Sequence, residues 1–196
     1  MNIDLLKINE HMSTGYAART AFNGKKADLT IAFAVDHTTS GEILTKKVAR
    51  NYLSINVVNM APTDIVETIV KKCRDLKVTS INVAGNGMFT MNKHKYTQAD
   101  VNMFIYVILS RVQSNYPIKK IYTGGQTGVD IAGAIAGYLL NIETEVTFPR
   151  YFLQKLASGK TITNTYKQIM SQIIDGAAET LNAYNEGQHI RQKHRV

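Results

Sequence analysis

The most constraining stretch of this sequence is LTIAFAV, Leu29 to Val35, which is apolar throughout except for Thr30. A strand with one wet face alternates apolar and polar residues, and an amphipathic helix repeats every three to four. A short unbroken run closed by polar turn residues reads instead as a strand covered on both faces, the mark of a parallel sheet. Parallel strands require crossover connections, so the flanking sequence should supply helices, and it does.

Further strand candidates are Ser54 to Val58, Ser80 to Ala84, Lys120 to Thr123 and Glu145 to Phe148. Between them lie helical stretches: Gly41 to Arg50, Thr63 to Leu76, Thr97 to Ser114 and Val129 to Leu140. Ile162 to Tyr184 makes a long last helix, and a segment opening at Gly15 runs as a helix to Lys26. Thr63 is the expected N-cap of its helix, after Pro62, and Thr97 with Asp100 makes a loose capping box. Pro62, Pro117 and Pro149 each fall near an element boundary. The alternation predicts an α/β fold: a Rossmann-like, mostly parallel sheet with helices on both faces. The apolar stripe of the last helix (Ile162, Tyr166, Ile169, Ile173, Leu181, Tyr184) suits packing on its own domain or an interface between copies.

At 196 residues, 44% hydrophobic and 19% charged, the chain suits one globular domain. No run reaches the roughly 20 apolar residues of a membrane span, and the N-terminus has no signal-peptide pattern, so a cytoplasmic protein is expected. A lone cysteine, Cys73, rules out a disulfide within the chain and reads as a small core residue. His11, His37, His94, His189 and His194 show no metal-ligand spacing, so no metal is expected. The net charge of +8 favours anionic partners, although most lysines are scattered as on any basic surface. The tail His189 to Val196 is basic and reads as a frayed end or a phosphate-touching arm.

In doubly wound sheets ligands sit beyond the carboxyl ends of the strands, and three polar, glycine-bearing turns follow the strand candidates. TGGQTGVD, Thr123 to Asp130, carries the strongest signal. Gly124, Gly125 and Gly128 permit close backbone approach, the following helix would begin with unpaired N–H groups, and Gln126 and Thr127 add side-chain donors. Asp130 suits a ribose hydroxyl, a general base or simple helix-dipole stabilisation. The loop has neither the lysine of a phosphate-binding Walker loop nor GxGxxG spacing.

The second turn offers Asp36, Thr38, Thr39, Ser40, Gly41 and Glu42, either as a phosphate turn or as a plain helix cap. The third, Gly85-Asn86-Gly87, is a tight turn or a pocket wall. Tyr16, Arg19 and Asn23 share one helical face at i, i+3, i+7, where an aromatic and a guanidinium suit a base and a phosphate or simply a solvated helix. Asp130, Glu42 and Asp36 are the candidate acids or bases for catalysis.

These residues resemble the SLOG superfamily, which includes the cytokinin-activating LOG enzymes, the YpsA proteins, molybdenum-cofactor carriers and the DNA-processing protein of natural transformation. The likeness is greatest to the YpsA and molybdenum-carrier branch, where a GGQTGxD loop precedes a Tyr-x-x-Arg-Thr segment, an apolar strand and a glycine turn. Here YAARTAFN, TIAFAVD and TTSGE come first and TGGQTGVD comes last, so the chain resembles a circularly permuted member, as do uncharacterised bacterial and phage proteins of the same order. The likeness covers about residues 16–148, within a Rossmann-like domain over 1–160; residues 161–196 then form the last helix and tail of the same domain.

The resemblance implies a nucleotide pocket lined by Gly124, Gly125, Gln126, Thr127, Gly128 and Asp130, a phosphate turn at Thr39, Ser40 and Gly41, and polar contacts from Arg19 and Asn23. The LOG motif PGGxGTxxE is replaced by TTSGEILTK, which weakens the case for a phosphoribohydrolase, and Phe148-Pro149-Arg150-Tyr151 stands where relatives have Pro-Lys-Gly.

Three functions follow. The first is a non-catalytic binder of an NAD-derived, ADP-ribose-like or cyclic nucleotide signal, as in phage counter-defence in the host cytoplasm, with no cofactor and a homo-oligomeric state. The second is a nucleotide-cleaving enzyme. The third is a single-strand nucleic-acid binder using Tyr122, Tyr151, Phe152 and Lys155.

Overall fold

In the computed structural model residues 1–193 are described, with side chains described through 187. The strands are β1 (Leu6–Glu10), β2 (Leu29–Ala34), β3 (Tyr52–Asn56), β4 (Ser80–Gly85), β5 (Lys120–Gly124), β6 (Glu143–Phe148), β7 (Gln154–Lys155) and β8 (Thr161–Ile162). The helices are α1 (Tyr16–Lys26), α2 (Ser40–Val48), α3 (Pro62–Leu76), α4 (Met88–Met91), α5 (Gln98–Asn115), α6 (Val129–Leu139) and α7 (Tyr166–Lys193). Strands β1 to β6 form one sheet in the order β1-β6-β5-β4-β2-β3, and every pairing in it is parallel. The α/β, Rossmann-like reading holds.

The period-two geometry of the strands sorts their side chains onto two faces. Leu29, Ile31 and Phe33 of β2 and Ile81 and Val83 of β4 join Ile65, Ile69 and Ile105 of α3 and α5 in the main core. The opposite faces carry Thr30, Ala32, Asn82 and Ala84, over which α1 and α2 lie. Both faces of β2 are therefore dry, as its unbroken apolar run requires. A second core joins Leu6, Ile8, Val146 and Phe148 to Ile131 of α6 and to Ile169, Ile173 and Ala177 of α7. The last helix thus packs on α5 and α6 and closes the β1/β6 side of its own domain. The tail His189 to Val196, read from sequence as a frayed end or a phosphate-touching arm, lies outside the residues whose side chains are described.

Three sequence expectations are corrected. The N-cap of α3 is Ala61, with Pro62 at the first helical position, where its missing N–H is no loss. Helix α7 begins at Tyr166, not Ile162, because Thr165 and Gln168 exchange capping bonds there and Ile162 is spent in the β7–β8 hairpin. Strand β1 went unread: only Leu6 and Ile8 of LKINE are apolar, since the strand is buried on one face at the sheet's edge. The Thr97–Asp100 capping box forms as expected. No helix among the described residues is long and apolar enough to cross a membrane.

Candidate functional site

The sheet has a switch point between β2 and β4. From β2 the chain crosses through α2 to β3 on one side, and from β4 it crosses through α5 to β5 on the other. At such a point the loops diverge and leave a crevice beyond the carboxyl ends of the strands. A cavity of about 290 Å³ lies there, walled by α1, the start of α2, and the loops after β4 and β5. Asn82 and Ala84 of β4 reach it from the sheet.

Helix α1 turns Tyr16, Arg19 and Asn23 toward the cavity, as their shared helical face predicts. Arg19 is 7% exposed and donates through Nη1 to Asp130 Oδ2 at 2.6 Å, joining α1 to the first turn of α6. Burial pushes the Asp130 carboxyl upward in pKa, against the pull of the Arg19 guanidinium and a hydrogen bond from the Gln126 N–H. Gly124 makes this pair possible: a Cβ there would stand 1.8 Å from Arg19 Nη1 and 2.1 Å from Asp130 Oδ2.

Glu42, in the first turn of α2, is 3% exposed. Its pKa is pushed up to about 7, first by burial and then by the nearby charges of Asp130 and Asp36, with a Tyr52 hydrogen bond opposing. His37 Nδ1 stands 3.9 Å from Glu42 Oε2, beyond hydrogen-bond reach.

Buried polar groups are normally paired, and each exception asks for a reason. Six buried side-chain atoms find no partner among the described residues: Tyr16 Oη, Arg19 Nε, Asn23 Nδ2, Asn23 Oδ1, Glu42 Oε2 and Thr147 Oγ1. All but the last belong to residues that line this one cavity.

The predicted residues divide. Tyr16, Arg19, Asn23, Thr39, Ser40, Gly41, Glu42, Gly85, Asn86, Gly87, Gln126 and Asp130 line the cavity. Asp36, Thr38, Gly124, Gly125, Thr127 and Gly128 do not. Asp36 accepts from the Thr38 amide and hydroxyl in a local turn, which holds its carboxyl below the usual range as an ionised turn former. Gly125 lies against the Phe148 ring, and the Thr127 hydroxyl donates to the Lys155 carbonyl.

The expectation that α6 opens with free amides is corrected in part: of its first amides only that of Asp130 has no partner among the described residues. The Gly128 amide donates to Gln98 Oε1, that of Val129 to the Asn86 carbonyl, and that of Ile131 to the Gln126 carbonyl. Gly128, at φ 98°, instead brings the chain against Gly87 in a short antiparallel bridge. Asn86 is likewise committed: its Oδ1 accepts from the Val35 and Asp36 amides and its Nδ2 donates to the Asp36 carbonyl, clasping the end of β2. The anion-compatible amides sit elsewhere. Thr39 caps α2 by accepting from the Glu42 amide, so the Ser40 and Gly41 N–H groups, first in that helix, take no partner within it at the mouth of the cavity.

Sequence reasoning missed Thr20, Thr45, Asn82, Phe89 and Thr90. A polar residue inside an otherwise apolar strand was a usable signal for Asn82. Lys155, read from sequence only as a nucleic-acid contact, lines the cavity instead: its place is set by its own amide, which donates to Gln126 Oε1, and its Nζ lies 4.1 Å over the Phe89 ring. The residues weighed for nucleic-acid binding are dispersed. Tyr122 lies beneath Lys26 and Lys120, Tyr151 is exposed beside Arg150, and Phe152 packs between Phe148 and Tyr166. No cluster of three potential metal ligands occurs among the described residues.

A parallel, doubly wound sheet with a polar, partly unsatisfied crevice at its switch point defines a Rossmann-like domain with a candidate ligand site. The family model described as circularly permutated YpsA SLOG matches residues 4–101, and the chain belongs to that family. The TGGQTGVD loop lies beyond the matched span. No curated protein matches the chain. Membership is consistent with nucleotide-related binding or processing in general.

Proposed function

We propose that this protein binds a small phosphate-bearing nucleotide of the NAD-derived, ADP-ribose-like or cyclic type at the switch-point cavity, and holds it without turnover. The supporting observation is that five unpartnered buried polar atoms belong to Tyr16, Arg19, Asn23 and Glu42, four residues that line one cavity. Leaving such groups unpaired costs about 1–3 kcal/mol each, a cost a ligand with matching donors and acceptors removes. The phosphate belongs at the mouth, with the first amides of α2, and Lys155 lines the same cavity. At about 290 Å³ the cavity is at the small end of ligand sites, so it encloses one nucleotide unit and leaves any second one outside.

Mass spectrometry of small molecules released from the heat-denatured protein tests this reading. An intact nucleotide released in stoichiometric amount supports it. Failure of every mono- and dinucleotide to bind by calorimetry overturns it.

One observation favours a second reading, cleavage of a nucleotide glycosidic or phosphoester bond. A buried carboxyl with pKa near 7, such as Glu42, is equipped to be a general acid. A glycosidic step would transfer the Glu42 proton to the departing base as its bond to the ribose carbon breaks, and water would supply the new C–O bond. Recovery of cleaved ligand, abolished in Glu42→Gln, would establish it over simple holding.

A further inference from the structure

The charges in the cavity are not evenly spread. At the buried end Arg19 is neutralised by Asp130 at 2.6 Å, and the Glu42 carboxyl stands in the same space. The one other cation lining the cavity among the described residues, Lys155, is half-buried, and Ser40 and Gly41, which also line it, are exposed. An anion pushed to the buried end would face two carboxyl groups with no unpaired cation to meet it. A neutral group would meet none of that opposition.

The same end holds a side chain with nothing to do in the fold. Asn23 is 1% exposed, and neither its carbonyl oxygen nor its amide nitrogen has a partner among the described residues. Arg19, one turn earlier on α1, has its Nε–H free as well, although its Nη1 is bound to Asp130. Asn82, also on the cavity wall, makes the contrast: its Nδ2 donates to Thr30 Oγ1. A carboxamide presents a donor and an acceptor side by side in one plane, and its natural complement is an edge with the reverse order, such as the amidine edge of a base or another carboxamide. Ala84, small and on the sheet beneath, leaves room for a flat group.

We propose that the buried end of the cavity is a subsite for a neutral planar head group, a nucleobase or carboxamide edge, read by the Asn23 side chain, with the phosphate pointing outward to α2. This rests on the nucleotide-binding reading above and adds to it the orientation of the ligand and the residue that sets its specificity.

Calorimetry with AMP, reduced nicotinamide mononucleotide (whose ring is neutral) and ribose 5-phosphate tests it, on the wild type, Asn23→Leu and the same-shaped Asn23→Asp. The first two probes separate a base edge from a carboxamide, and the third carries neither. At least one head-group-bearing probe should bind tenfold or more tighter than ribose 5-phosphate. Both variants should erase that preference, and the uncharged Asn23→Leu should change ribose 5-phosphate affinity less than twofold.

A ligand-free melting curve gives a second readout. Asn23→Leu removes an unpaired buried amide, so its Tm should equal or exceed that of the wild type. Equal binding of all three probes, or equal weakening of all three by the variants, overturns the subsite but leaves phosphate binding standing. A clear fall in Tm also overturns it, because Asn23 would then be a bonded part of the fold. If no probe binds at all, the nucleotide reading falls together with the subsite.

Discussion

Arg19 and Asp130, 111 positions apart, form a buried ion pair at 2.6 Å that ties the first helix to the sixth. Removing one partner leaves the other charged and dry, and this typically costs 3–5 kcal/mol, whereas replacing both with apolar groups is far milder. Arg19→Leu should therefore lower unfolding stability by about 3–5 kcal/mol. The double variant Arg19→Met/Asp130→Leu should recover most of that loss in urea titrations. Additive losses would show that the two residues do not act as a pair.

Glu42 gives the protein a signed pH dependence. Its pKa rises from 4.5 to about 7 on folding, so between those values the folded state holds a proton that the unfolded state has released. Its stabilising contribution is complete below pH 4.5, is lost as pH rises toward 7, and is absent above. The span corresponds to about 3 kcal/mol at most. Glu42→Gln, a neutral isostere, should flatten this slope and be more stable than the wild type at pH 8 but not at pH 4.5. Parallel unfolding curves at the two pH values for both proteins check it.

Two glycines near the site should behave oppositely. Gly124→Ala would drive a methyl group into the Arg19–Asp130 pair, with an overpacking cost of about 1–3 kcal/mol. At Gly41, inside α2, a Cβ would meet no atom within 4 Å, and alanine is the better helix former by roughly 1 kcal/mol. Gly41→Ala should leave stability equal or slightly raised. Thermal melts of the two variants separate these outcomes.

The α2 amides can be tested without disturbing the helix. Ser40 is the first residue of α2, where proline is accepted, and Thr39 before it is already extended at φ −62°, ψ 148°. Ser40→Pro should keep its Tm and lose one N–H donor. A hydrogen bond to a charged group contributes about 1.5–3 kcal/mol, so phosphate-ligand affinity should fall roughly tenfold or more. An unchanged affinity would place the phosphate away from α2.

Much of this architecture was legible because the chain's local signals agree with its global fold. The apolar run at Leu29, the Thr97–Asp100 box and the face shared by Tyr16, Arg19 and Asn23 each follow from period or cap. What escaped was set by tertiary partners. LKINE is a strand because β6 offers it an edge, and Lys155 reaches the site because Gln126 and Thr127 bind its backbone, while Gly125 holds Gln154 beside it. The TGGQTGVD loop does border the cavity, through Gln126 and Asp130, but not for the reason its glycines suggest. Gly124 and Gly128 make room for protein, the Arg19–Asp130 pair and the Gly87 bridge, rather than for a ligand.

The contact between Gly87 and Gly128 has a mechanical consequence. Two bonds flank it, from the Met88 amide to the Thr127 carbonyl and from the Val129 amide to the Asn86 carbonyl. The turns after β4 and β5 are thereby sewn into a single stiff jaw. Helices α1 and α2 form the opposing jaw, resting on the sheet through small side chains such as Ala32 and Ala84. The Arg19–Asp130 pair ties α1 across to the first jaw, so adjustment to guests of different girth falls to α2, whose backbone amides are where hydrogen exchange should slow most on binding.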